Sequence, residues 1–122
     1  MALEQLLAEI IAFRDERDWA QFHTPKNLAA ALAIEAAELQ EQLLWKTEDE
    51  IQSFAGSDRG HQRLSDEVAD VFIYTLLFAH AVGIDVEAAT RVKLRKNADK
   101  YPADRARGRA TKYSELDTEE AS

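Results

Sequence analysis

The run Leu28-Ala29-Ala30-Ala31-Leu32-Ala33-Ile34-Glu35-Ala36-Ala37-Glu38-Leu39 decides the fold. At about 100° per residue, Leu28, Leu32 and Leu39 form one narrow apolar stripe, and Glu35 falls in its middle. Glu38 lies about 60° to one side by the same geometry. A carboxylate facing an interior has to be neutralised, paired or bound to a cation, because burying it bare costs many kcal/mol. The pattern returns in Leu64-Ser65-Asp66-Glu67-Val68-Ala69-Asp70-Val71, where Glu67 and Asp70 again stand three apart among apolar neighbours. Four carboxylates on two facing helices repel one another unless a divalent ion holds them.

Spacing alone does not select these pairs. Asp15/Asp18, Glu38/Glu41 and Asp117/Glu120 share it, and 23 acids in 122 residues produce about four such pairs by chance. Context separates them. Alanine, valine, isoleucine and leucine surround the two central pairs, whereas the outer pairs have charged neighbours or lie in the tail.

The chain has 122 residues, enough for one domain with a core. It has no cysteine, which excludes disulfides, thiolate metal sites and cysteine nucleophiles. No apolar run approaches a membrane span, and Met1 opens an amphipathic, acid-containing stretch instead of a signal peptide. The expected address is the cytoplasm, with no membrane partner. The net charge of −8 disfavours long nucleic acid as a partner. Nine of the 15 basic residues nevertheless lie between Arg91 and Lys112, where only Asp99 and Asp104 are acidic. Such a segment suits a small polyphosphate, or simply complements a helix end.

Helical periodicity organises the chain throughout. Leu3, Leu6, Leu7, Ile10 and Phe13 predict a helix over about residues 2–17. Thr24-Pro25 is a helix start, and the second helix is expected to reach about Lys46. Thr47-Glu48-Asp49-Glu50 has capping-box form and predicts a short helical turn; Gly56 to Gly60 reads as a loop. A third helix is expected from about His61 to Gly83, with Leu64, Val68, Val71, Phe72 and Thr75 on one side and Glu67, Asp70 and Tyr74 on another. From Val71 to Ala79 it is apolar nearly all round, which points to oligomerisation or to a central helix in a monomeric bundle. Asp85 caps a fourth helix that Pro102 stops, and the remainder is expected to be extended.

Magnesium prefers oxygen ligands and bridges carboxylates to phosphate, which two acidic pairs on adjacent helices would match. Di-iron helical bundles need a glutamate with histidine three positions later, and no glutamate here has one. Trp19 and Trp45 bracket the first acidic helix and offer faces for stacking a base, or else pack in the core or an interface. His23 is placed to hydrogen-bond a ligand or to serve as a capping or surface group. Lys93, Lys96, Asn97, Lys100 and Tyr101 supply charges and donors for phosphate oxygens. The non-enzymatic rival is a helical interaction module in which the tryptophans pack and the acids are solvated.

These residues resemble the MazG-like all-α nucleoside triphosphate pyrophosphohydrolases, most closely the dCTP-hydrolysing members. Glu35-Ala36-Ala37-Glu38 and Glu67-Val68-Ala69-Asp70 fit the signature of that group. The stretches from Phe13 to Trp19, Phe22-His23, Leu44-Trp45-Lys46, Asp70 to Tyr74, Lys96-Asn97, Lys100-Tyr101-Pro102 and Lys112 to Leu116 extend the likeness. It spans roughly residues 10–116. The resemblance implies an all-α four-helix-bundle protomer over residues 1–116, a flexible acidic tail over 117–122, and a homo-oligomer, tetramer before dimer. It implies hydrolysis of a (deoxy)nucleoside triphosphate, a pyrimidine such as dCTP foremost, to the monophosphate and pyrophosphate. Mg2+, with Mn2+ as a substitute, would be held by Glu35, Glu38, Glu67 and Asp70. Glu38 would take the proton of the attacking water. Trp19, His23, Trp45 and Tyr74 would line the nucleotide site. One departure stands out: Ile10 occupies the position where mammalian members carry histidine.

Overall fold

In the computed structural model, residues 2–110 and Ser114 are described. The tail 117–122, and Lys112, Tyr113, Glu115 and Leu116 of the last motif, lie outside the described residues. Every regular element among the described residues is helical: α1 (Ala2–Glu16), a 3-10 turn (Ala20–Phe22), α2 (Pro25–Leu43), α3 (Glu48–Gly56), α4 (Asp58–Val82), α5 (Val86–Lys100) and α6 (Ala103–Ala106). The chain divides into two compact units, Met1–Ile84 and Asp85–Ser122. No single helix among the described residues is long and apolar enough to cross a membrane.

In the first unit α2 packs along α4, with α3 and α1 also against α4. Side-chain caps set the starts of these helices. Thr24 Oγ1 accepts from the Asn27 N–H at 3.2 Å, Thr47 Oγ1 from Glu50 at 3.2 Å, and Ser57 Oγ from Gly60 at 3.0 Å. Gly83, at φ 75°, ends α4 in the left-handed conformation, and the Ile84 N–H closes the motif on the Ala79 carbonyl at 2.7 Å. The fully buried core is small: Leu28, 1% exposed, with Leu76, Leu77 and Ala79.

Several boundaries differ from the sequence reading. The expected loop from Gly56 to Gly60 shrinks to Ser57 alone, because Ser57 ends α3 through its N–H and begins α4 through its hydroxyl. Gly60 therefore lies inside α4 and is buried against α3. A Cβ at Gly60 would collide with the Phe54 carbonyl oxygen and sit 2.6 Å from its carbon. The short turn at Thr47 is a full helix, α3, packed on α4. The second helix stops at Leu43, not Lys46, since the chain must reverse before Thr47. Lys46 secures that reversal by donating from Nζ to the Gln42 carbonyl at 2.7 Å and resting 4.7 Å from the Phe54 ring centroid. On α4 the side that read as apolar is partly the outer one, because Val68 and Phe72 are exposed while Glu67, Asp70 and Tyr74 are half-buried.

In the second unit Asp85 Oδ1 accepts from the Ala88 N–H at 3.0 Å and starts α5, and Arg91 pairs with Glu87 one turn earlier at 3.0 Å. The segment after Pro102 is not wholly extended: the Pro102 carbonyl accepts from Arg105 at 3.0 Å and Ala106 at 2.8 Å, forming the single turn α6.

The α3–α4 corner generates a stability prediction. Gly60→Ala should destabilise the fold by at least about 2 kcal/mol in a denaturant melt, despite alanine's better helix propensity. Gly56→Ala, with nothing within 4 Å of its Cβ, should be neutral or stabilising.

Candidate metal centre

Glu35 and Glu38 project from neighbouring turns of α2, and Glu67 projects from α4 where the two helices pack. One carboxylate oxygen from each lies within 4.8 Å of the others, and all three residues are half-buried. Glu38 acts on both of the others, contributing to the raised carboxyls of Glu35 and Glu67. The Oε2 atoms of Glu35 and Glu67 are buried with no hydrogen-bond partner. Asp70 stands one turn beyond Glu67, outside the tight trio, and its charge acts on Glu35, Glu67 and Tyr74.

Crowding sets the electrostatics. Burial, then the hydrogen bond and charge of Glu38, with the charges of Asp70 and Glu67, push the Glu35 carboxyl up to about 7. Burial, then the charges of Glu38 and Asp70, raise Glu67 as well. Tyr74 is raised by burial and by Glu35 and Asp70. Without a cation, this crowding disfavours the charged forms of Glu35 and Glu67. Two orphaned acceptor oxygens in an all-oxygen donor set fit a hard divalent cation, with no nitrogen or sulfur to favour a softer one.

An aromatic strip forms where the chain reverses after α1. The Trp19 ring meets Phe13 edge-on at 5.8 Å and 72°, and His23 lies 6.4 Å from Trp19 at 51°. The reversal after α1 sets the strip: the Trp19 N–H closes on the Arg14 carbonyl at 3.1 Å, and Asp18 takes φ 54°, a conformation aspartate tolerates. Phe13 also walls a cavity of about 270 Å³ with Glu9, Ile10 and Ile73. Ile73 follows Asp70 by one turn of α4. Neither tryptophan is a core residue, for Trp19 is 43% exposed and Trp45 is 92% exposed. Trp45 holds φ 66°, unusual for a bulky side chain.

Of the residues singled out in the sequence, Glu35, Glu38 and Glu67 converge, with Asp70 and Tyr74 in electrostatic contact. Trp19 and His23 share the strip. Trp45 stands at the end of the α2 reversal. Lys93, Lys96, Asn97 and Lys100 lie along one face of α5, and Tyr101 is its C-terminal cap, all within the second unit. The sequence reading did not single out Phe13 and Ile73 as walls of one cavity, or Arg14 as the charge beside His23. Ile73 was legible, since it stands three residues after Asp70 at helical spacing.

A model of the MazG-like family matches residues 30–116. The chain is 41% identical to the human dCTP pyrophosphatase 1 over 104 residues, and 39% identical to the Bos taurus protein of that name. These alignments cover 85% of this chain but only 61% and 62% of the relatives, so the chain spans about three fifths of their length. Among solved structures, a pyrophosphatase from Archaeoglobus fulgidus matches with a TM-score of 0.77 and 39% identity, over 84% of this chain and 94% of that one.

The raised Glu35 carboxyl has a consequence for stability in metal-free protein. Its extra stabilisation is fully present below the unfolded value of 4.5 and is lost as pH rises through about 7. Glu35→Gln removes the ionisation, so its melting temperature relative to wild type should climb from about pH 5 to about pH 8. A divalent cation held by the cluster should narrow or reverse that order at the higher pH, because it would stabilise the wild type more than the variant.

Proposed function

This chain belongs to the MazG-like family, and we propose that it hydrolyses pyrimidine deoxynucleoside triphosphates, dCTP foremost, to the monophosphate and pyrophosphate with Mg2+. The observation that carries the reading is the convergence of Glu35, Glu38 and Glu67, with two buried oxygens left for a cation. A non-catalytic helical module would have no reason to keep such a cluster, since orphaned buried carboxylate oxygens cost stability. The likeness to proteins named dCTP pyrophosphatase 1 and to an archaeal pyrophosphatase supports the reaction class.

Glu35, Glu38, Glu67 and Asp70 would hold the ion, with Mn2+ as a substitute. When bound, it supplies charge neutralisation for the triphosphate and acidifies a water. Glu38, clustered with Glu35 and Glu67, would accept that water's proton. Trp19 and Trp45 would stack on the nucleoside, and Tyr74 would border the cation end of the site. Lys93, Lys96, Asn97, Lys100 and Tyr101 would hold the departing pyrophosphate. Residues 1–116 would form the catalytic domain, a four-helix bundle acting on the cytoplasmic nucleotide pool. The exposed apolar side chains Ile34, Val68 and Phe72 on α2 and α4 support assembly into a homo-oligomer, a tetramer before a dimer.

The direct test is pyrophosphate release from a panel of ribo- and deoxynucleoside triphosphates with Mg2+. Turnover should favour dCTP, vanish with chelator, and fall about 100-fold or more in Glu38→Gln with helical circular dichroism retained. Release from none of the panel would refute the activity. Sedimentation should show at least a dimer, and a fully active monomer at about micromolar concentration would refute the assembly.

A further inference from the structure

The cavity of about 270 Å³ is walled by hydrocarbon from Ile10 and Phe13 of α1 and Ile73 of α4. Glu9 is its fourth lining residue and the only polar one. Phe13 joins the cavity to the aromatic strip, at whose far end the buried Nδ1 of His23 has no hydrogen-bond partner. Ile73 joins it to the acidic centre, for it follows Asp70 by three residues of α4, about 4.5 Å along the helix axis. A triphosphate held at the acids therefore leaves its nucleoside within reach of this cavity.

Nothing in the fold accounts for Glu9 at this place. The residue is exposed, so it stands at the rim of the cavity and adds nothing to the core. Its helical neighbours three and four positions away are Gln5, Leu6, Ala12 and Phe13, none of them a cation. No ion pair among the described residues includes it. Arg17, two turns further on, is held elsewhere: Nη1 donates to the Phe13 carbonyl at 2.9 Å, and the guanidinium lies 3.6 Å over the Phe13 ring. The Glu9 carboxylate thus has water for a partner until a ligand fills the cavity. Hydrocarbon selects a ring by shape without reading its polar edge, whereas an ionised carboxylate reads that edge as an acceptor only.

We infer that Glu9 is the residue that determines base specificity: its carboxylate accepts from the exocyclic amino group of a cytosine seated between Ile10, Phe13 and Ile73. This rests on the pyrophosphohydrolase reading above, and it names what separates dCTP from the other pyrimidine nucleotides. Cytosine carries an amino donor at position 4, a group that carboxylates accept from, where thymine and uracil carry a carbonyl oxygen. Such an oxygen meets the carboxylate acceptor to acceptor, so filling the cavity strips water from Glu9 and returns no hydrogen bond. At the rim that loss is partial, and the discrimination it produces is graded, about tenfold.

The test measures dissociation constants, with Mg2+, for the α,β-methylene analogues of dCTP, dUTP and the 2-pyrimidinone nucleotide, whose base has no group at position 4. Wild type should bind the dCTP analogue about tenfold tighter than either of the others. Glu9→Gln, whose amide can turn to donate or to accept, should shrink the preference over dUTP to within about threefold. Glu9→Leu should weaken the dCTP analogue about tenfold and hold the 2-pyrimidinone analogue within about threefold of wild type. Glu9 has no partner to lose, so both variants should melt at the wild-type temperature, and the comparison across analogues is independent of folding. A wild type with no preference for the amino-bearing analogue overturns the inference. So does a Glu9→Gln preference equal to that of wild type, or a Glu9→Leu loss that is equal for all three analogues. Failure of wild type to bind any of the three overturns the underlying reading instead.

Discussion

The mutual repulsion of carboxylates between α2 and α4 is the constraint on which the rest of the structure depends. These two helices make the principal packing of the first unit, and the same contact brings Glu35, Glu38 and Glu67 together. A purely structural interface would place hydrocarbon there, because hydrocarbon of similar volume is neutral or stabilising relative to buried charge. The fold accepts a penalty at its centre and offsets it in two ways. Without a cation, crowding and burial disfavour the charged forms, as the raised Glu35 and Glu67 carboxyls express. With a cation, the same oxygens could serve as ligands.

Holding such a centre open requires rigid surroundings, and local chemistry provides them. Ser57 serves as the end of one helix and the start of the next, so α3 and α4 meet with a single joining residue. Gly60 lets the Phe54 carbonyl approach the α4 backbone closely at that joint. Lys46 caps the end of α2 with its ammonium and covers the Phe54 ring, so one side chain ties the α2 reversal to α3. Leu28 and the Leu76–Ala79 segment then lock the α2–α4 packing from the apolar side.

The chain spends little apolar surface on its own interior. Among the described residues four hydrophobic side chains are buried, while Ile34, Trp45, Val68 and Phe72 stay exposed on or beside the helices that carry the acids. Isolated exposed apolar residues are ordinary, but a group on one pair of helices is not. The Trp45 backbone adds to this, since a left-handed conformation at a bulky residue is retained only where surrounding structure or function requires it.

Helical periodicity and composition by themselves determined the all-helical architecture, the caps at Thr24, Thr47 and Asp85, and the stop at Gly83. Each depends on interactions within one turn of chain. They also exposed the acidic pairs, because a carboxylate in an apolar stripe contradicts the period around it. The helical character of the Gly56–Gly60 segment was hidden, since two glycines and a serine read as a loop until α3 is there to pack against Gly60. Which side of α4 faces inward was hidden too: Val68 and Phe72 look like core in one dimension, and only the placement of α2 turns Glu67 inward. The orphaned Nδ1 of His23 and the cavity joining Ile10 to Ile73 depend on side chains more than 10 positions apart in the chain. Tertiary structure alone decided those, because burial and the absence of a partner belong to no single segment.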